Sequence, residues 1–376
     1  MKIRKLSGIL LASVTALLVM TSCSIRSDET ASEASLVIDE VLDNNTEAVE
    51  GAASGEDESH EGMVRSRLTY EWIDEDAANL RPLAVMIPNE SSAIPHYGLS
   101  QASVLYECLI EGNMTRLMGI FEDYEGIGKL GNIRSLRDYY AYWALEWDAV
   151  LCHFGAPYYA DDILAEETTD DLDGNVITAP YYRSSDRSAP HNAYLDTTQV
   201  ADALEAQDIE ANDRGLTDSY HYLFADESSP NTLTQYTDAE NCTMLDMSAS
   251  YPLTRCYFQY DAEDGLYYRF QYLSGGTDGP HIDGANGEQL SFTNIIIQSV
   301  EYEVRDENGY LWFNTTDTSG QDAWYITAGK IIKCTWKKES TFGATRYYDE
   351  NGNEIELNTG KTMVLIIEEG GEFSYE

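Results

Sequence analysis

The sequence predicts an α+β protein in two parts: an N-terminal α/β layered domain followed by an antiparallel β-rich domain. Between residues 81 and 211, short continuous apolar runs alternate with stretches of helical periodicity, the pattern of strands and helices laid in layers. From Cys242 onward the period changes to two, and aromatic and β-branched runs flank the turns DAEDG, DENG and DENGN. Such turns are the strongest short-range hairpin signal. Neither pattern occurs before residue 64, so the chain divides into 1–22, 23–64, 65–240 and 241–376.

The first segment reads MKIRKLSGILLASVTALLVMTSC, with a basic start at Lys2, Arg4 and Lys5 and a short apolar run from Ile9 to Met20. This is the layout of a signal peptide, and the run is too short to span a bilayer as a mature helix. Met20-Thr21-Ser22-Cys23 resembles a bacterial lipobox with Met where Leu is usual, which implies a lipidated Cys23 as the mature N-terminus. An ordinary secreted protein or an uncleaved anchor is the alternative. Residues 24–64 are rich in Ser, Ala, Glu, Asp and Asn, with no aromatic side chain and Arg26 as the only Lys or Arg. Such a segment cannot bury enough apolar area to offset its ordering entropy and reads as a tether extended by charge repulsion.

In the third segment, Leu83 to Ile87 lies between Arg81-Pro82 and Pro88-Asn89 and reads as a buried strand. Leu99 to Ile110 places Ala102, Leu105, Leu109 and Ile110 on one side behind Ser100, which predicts a helix ending near Gly112 and carrying Glu107 and Glu111 one turn apart. Thr115 to Phe121 is a second strand and Arg134 to Trp147 an aromatic-rich helix. Asp148 to Phe154 is a third strand, and a further helix is expected from about 197 to 211. Ligands of such layered folds favour the crevice beyond the carboxyl ends of the strands.

In the fourth segment, hairpins are expected at Tyr257–Tyr260 with Tyr267–Tyr272, Val300–Arg305 with Tyr310–Phe313, and Thr345–Tyr348 with Glu354–Leu357. Ile295 to Val300 and Met363 to Ile367 read as more deeply buried strands. Besides Cys23 there are five cysteines, an odd number that cannot pair fully, and none has CxxC spacing. Whether Cys242 and Cys256 bridge is left open.

The stretches GLSQASVLYECLIEGNMTR, GNIRSLR, LEWDAVLCHFG and RSAPHN, then HIDGANGEQLSFTNIIIQ, GKIIKCTWKKES and TRYYDENGNEIELNTGKT, resemble the YerB-like lipoprotein family. That bacterial family is defined by a domain of unknown function with N-terminal and C-terminal parts. The resemblance runs from about Arg81 to Ile367 and implies an α/β part and a β-rich part on the outer face of a membrane, with no established reaction. The chain departs from the family's usual pattern at Pro88, Asn113, Asn132 and in HFGAP.

A formal charge of −43 argues against nucleic acid as a partner and against direct adsorption to anionic lipid. In such a chain Arg116, Arg134, Arg137, Arg183 and Arg187 either pair with nearby acids or, with His191 and Asn192, hold an anionic ligand. Glu107, Glu111 and His153 are the catalytic candidates, since paired carboxylates can act on a glycosidic bond. The plainer reading has the glutamates orienting Arg116 or Arg134. No spacing supports a metal site, and no cofactor is implied.

These observations lead to an extracytoplasmic lipoprotein held to the cell membrane through Cys23, binding an anionic or glycan ligand of the envelope or a protein partner. The alternatives are an enzyme acting on cell-wall glycan or a lipid-linked precursor, and a structural adaptor of an envelope complex. The oligomeric state is not legible in the sequence.

Overall fold

The computed structural model describes residues 60–217 and 220–376, so the signal peptide, Cys23 and nearly all of the tether lie outside the described residues. The apolar runs picked out above become the middle of a mixed sheet of eleven strands. In spatial order its main members are Lys330–Lys338, Asp317–Thr327, Asn294–Val300, Thr362–Glu368, Val104–Leu109, Thr115–Phe121, Leu83–Pro88 and Val150–His153, with Asp171–Asp173 at the edge. Asn294–Val300, Val104–Leu109, Thr115–Phe121 and Leu83–Pro88 are buried at every position. Strands covered on both faces are expected to read as unbroken hydrophobic runs. The fold is rich in strand, as expected of the β-rich part, and holds less helix than the α/β part was expected to carry.

One expectation is overturned. Residues 99–110 are not a helix: a single 3-10 turn, Leu99–Gln101, precedes the strand Val104–Leu109. The apolar positions that matched a helical stripe belong to a run with almost no polar face, and a central strand accommodates such a run better than a surface helix does. Glu107 therefore sits inside a strand and Glu111 in the turn beyond it, on no common helix face.

The two helices are shorter than predicted, at Asp138–Leu145 and Val200–Ala206. Residues 134–137 are instead pinned to strand ends, with the Arg134 amide donating to the Met86 carbonyl at 2.9 Å and the Leu136 amide to Gly155 at 3.0 Å. Within the helix, Tyr139, Tyr140 and Trp143 are buried, and Trp143 stacks on Tyr106 of the sheet with ring centroids 6.1 Å apart.

In the C-terminal half, Tyr257–Asp261 pairs with Leu266–Tyr272 and Tyr302–Val304 with Leu311–Phe313, both antiparallel as expected. The third hairpin forms in a shorter version, closed by the antiparallel bridge of Tyr348 with Glu354 and by the Ile355 amide donating to the Tyr347 carbonyl at 2.9 Å, while Arg346–Tyr348 also joins the edge of Lys330–Lys338 and Glu356–Leu357 pairs in parallel with Leu223–Phe224. Asn294–Val300 and Thr362–Glu368, expected in an all-antiparallel layer, run parallel to each other, and Thr362–Glu368 runs parallel to Val104–Leu109. Strands from both sides of residue 240 thus share one sheet, and residues 58–376 form one compact unit. All five described cysteines are free and buried, Cys242 and Cys256 included.

Candidate functional site

Leu83–Pro88, Val104–Leu109 and Val150–His153 run in the same direction, so their carboxyl ends lie along one edge of the sheet. The segment 132–137 crosses that edge, and the Phe154 amide donates to the Arg134 carbonyl at 3.1 Å. Arg116, in register with Pro88, is 3% exposed and donates from Nη1 to the Ser135 carbonyl at 2.5 Å. Tyr140 holds that stretch of strand by donating its hydroxyl to the Arg116 carbonyl.

A cavity of about 250 Å³ opens in front of Ser135, with Arg134, Phe154, Asn175, Arg183 and Pro190 in its walls. Arg183 lies 4.9 Å over the Phe154 ring and donates to Asn192 Oδ1 at 3.0 Å. His191 Nε2 is 3.3 Å from Ser92 Oγ and 3.5 Å from Glu90 Oε1, while its Nδ1 is buried without a partner among the described residues. Arg187 serves the loop itself, donating to the backbone carbonyls of Ser92, Ala93, Ile94 and Pro95.

The pairing of the arginines is uneven. Arg65, Arg67, Arg81, Arg137, Arg214, Arg255, Arg269, Arg305 and Arg346 each form an ion pair. Among the described residues, Arg116, Arg134, Arg183 and Arg187 form none, and the Nε atoms of Arg116 and Arg134 are buried without an acceptor. Burial, followed by the charges of Arg137 and Arg134, lowers the Arg116 guanidinium to about 10. Arg137 is the exception within the predicted set: Glu111 takes it in a two-pronged pair at 2.7 and 2.5 Å.

The three catalytic candidates are not brought together. Glu111 is engaged by Arg137. His153 is buried, its Nδ1 3.1 Å from the Gly155 carbonyl and its Nε2 3.2 Å from Asp171, without hydrogen-bond geometry to that carboxylate. Glu107 is fully buried and accepts from Arg269 Nη2 at 2.7 Å, Asn89 Nδ2 at 2.8 Å, Thr115 Oγ1 at 2.7 Å and the Cys256 thiol at 3.6 Å. Among the described residues no three His, Cys, Asp or Glu side chains converge as a metal would require.

Arg269 continues the buried chain by donating to His281 Nδ1. Because His96 Nε2 lies 2.7 Å from the Pro88 carbonyl, it must carry the proton there, which leaves its Nδ1 to accept from His281 Nε2 at 2.9 Å. Both imidazoles are then neutral, and burial holds His96 at about 3 and His281 well below the ordinary histidine range. The relay ends on Pro88, next to Asn89 and Glu90 at the arginine-lined edge.

Residues 68–210 match the N-terminal domain, and residues 246–364 the C-terminal domain, of the protein family of unknown function DUF3048. The chain belongs to the DUF3048 family. A relative from Bacillus subtilis (strain 168), named "Putative lipoprotein YerB", is 24% identical to this DUF3048 protein over 314 residues, 81% of this chain and 83% of the relative. The crystal structure of the YerB protein from Bacillus subtilis has the same fold, with a TM-score of 0.69 at 22% identity over 83% of this chain and 99% of that one. These likenesses support a lipoprotein of unknown molecular activity. Among the described residues of the DUF3048 protein, no helix is long and apolar enough to cross a membrane.

Sequence reasoning missed Arg269, His281, His96 and Asn89. A signal for Arg269 exists: in LYYRFQY the buried positions alternate, and Arg269 and Gln271 fall on the same parity as Tyr267. A charged residue on the inward face of a strand needs a buried partner. Nothing local in the DUF3048 sequence names that partner, because Glu107 lies 162 residues away.

Proposed function

We propose that this protein is an extracytoplasmic lipoprotein, anchored to the cell membrane through Cys23, that binds an anionic ligand of the cell envelope in the cleft of Arg134, Arg183 and Ser135, with Arg116 behind it. One observation carries the reading. In a chain of net charge −43, three of the four arginines without a carboxylate partner among the described residues border or back this cleft, Arg134 and Arg183 in its wall and Arg116 behind Ser135, while the fourth, Arg187, donates to the neighbouring 92–95 loop. A guanidinium left unneutralised amid so many acids is a standing electrostatic opportunity for an anion. A purely structural adaptor would fit arginines that are all internally paired, and these are not.

The fragment from residue 58, which contains the whole compact unit, is expected to co-sediment with purified cell wall, and Arg134→Ala to weaken that by roughly tenfold, the scale of one charge-assisted hydrogen bond. Undiminished pull-down by Arg134→Ala ends this reading of the cleft. Release of soluble glycan fragments that disappears in Glu111→Gln would instead turn the reading toward an enzyme. The anchor has its own test: Cys23→Ser in the full chain is expected to abolish incorporation of labelled palmitate and move the protein into the medium. Retention of label at another residue refutes it.

A further inference from the structure

We infer that the ligand group seated in this cleft is a phosphoryl dianion, the terminal phosphate of a monoester, rather than a carboxylate or a sulfate; this rests on the anion-binding reading above. Charge supplies the first argument. Arg116, Arg134, Arg183 and Arg187 have no ion-pair partner among the described residues, and the acids beside them are Glu90, within reach of His191, and Asp173, which accepts from the Gly155 and Asn175 amides. The imbalance of about two positive charges is matched by a dianion and left half-open by a monoanion.

Donor geometry supplies the second. A carboxylate is planar and is matched by a single guanidinium fork, whereas a terminal phosphate offers three oxygens to donors arriving from different directions. Here the donors come from separate elements: Arg183 from the strand Tyr181–Arg183, and Arg134 and Ser135 from the segment ahead of the helix Asp138–Leu145. Ser135 Oγ forms no hydrogen bond among the described residues, and Arg134 Nε is buried without an acceptor. The amino end of that eight-residue helix adds its partial positive charge at Arg137, directly after Ser135 and Leu136.

The remaining walls say what the phosphate is attached to. Phe154 and Pro190 give the cavity an apolar side and Asn175 an amide, room for the first part of an uncharged substituent such as a sugar or a glycerol. The protein's overall negative charge repels a crowded anionic surface, so a singly presented water-soluble ester is favoured over a bilayer of phospholipid.

Calorimetric titration of the fragment from residue 58 with phenyl phosphate, phenyl sulfate and benzoate separates the classes, since the three share a ring and differ in the anion. Phenyl phosphate is expected to bind at least roughly tenfold more tightly than the other two, and to lose that advantage as pH falls through its second ionisation near about 6. Arg134→Ala and Arg183→Ala should each remove the preference; neither change strands a carboxylate, so both variants should fold, and their circular dichroism spectra check that. A second arm compares flotation with vesicles of phosphatidylcholine containing phosphatidic acid: flotation without binding of the soluble ester assigns the phosphate to a lipid. Equal binding of benzoate, or failure of both phenyl phosphate and the phosphatidic acid vesicles to bind while cell wall is still pulled down through Arg134, overturns the phosphoryl assignment and leaves the anion site standing. Loss of both results removes the two together.

Discussion

Moving the protein from about pH 7 to about pH 5 is expected to remove roughly 4 kcal/mol of folding stability through the buried His96 and His221, with a third buried histidine, His281, acting in the same direction. His96, His221 and His281 are each 4% exposed or less. Burial holds His96 at about 3 and His221 at about 4, and holds His281 well below the usual value. His96 faces His281 and the Pro88 carbonyl, with Arg269, Arg187 and His191 adding positive charge nearby. His221 stacks on Trp147 at 3.6 Å between centroids, with Glu146 favouring its proton and Lys338 and Arg346 opposing it.

The direction follows from which state takes up protons. Below an unfolded value of about 6.5 the unfolded chain protonates these imidazoles while the native protein does not, so stability falls as pH falls. At about pH 5 His96 and His221 each contribute roughly 2 kcal/mol of that loss. Glu122 and Asp138, raised by burial, work the other way over the carboxylate range, while Glu146, held low against its own burial by Lys338 and His221, adds to the loss at still lower pH. Urea midpoints at the two pH values measure the effect. A midpoint that does not move means the native histidines are charged and the relay described for His96 and His281 is wrong.

Replacing Arg269 by methionine is expected to cost about 3–5 kcal/mol, the range for removing one partner of a fully buried ion pair. Arg269 and Glu107 are both completely buried, and burial would lower the Arg269 guanidinium if Glu107 did not raise it. The substitution keeps much of the side-chain volume and leaves Glu107 with Asn89, Thr115 and Cys256 as its remaining donors. It also deprives His281 Nδ1 of its donor. The double variant Arg269→Met with Glu107→Gln should recover part of the loss, because no uncompensated charge then stays inside. Guanidinium denaturation of the four species measures the cycle; a single-variant cost under about 1 kcal/mol would mean that water reaches Glu107.

Much of the sheet was legible. Thr115–Phe121 was bounded correctly by its apolar run, and Leu83 to Ile87 missed a single residue, Pro88. The failure at Val104–Leu109 has a definite cause: a run apolar at nearly every position satisfies helical spacing and strand burial alike, and only its neighbours on both sides decide. The arginine cluster was legible from scarcity, since Arg116, Arg134 and Arg183 stand out in an acidic chain. The pairing of Arg137 with Glu111 was not, because at 26 residues of separation either glutamate could have met any of the arginines.

The sequence by itself determined the family resemblance, the apolar runs that become strands and the scarcity of cations in a strongly acidic chain. These are properties of composition and local period. Tertiary structure alone decided that strands from the two halves share one sheet, that Glu107 answers to Arg269, and that Arg116, Arg134 and Arg183 meet no acid partner among the described residues. The physical reason is that a charge's partner is fixed by which strands lie side by side, and strand order is set by contacts far apart in the chain.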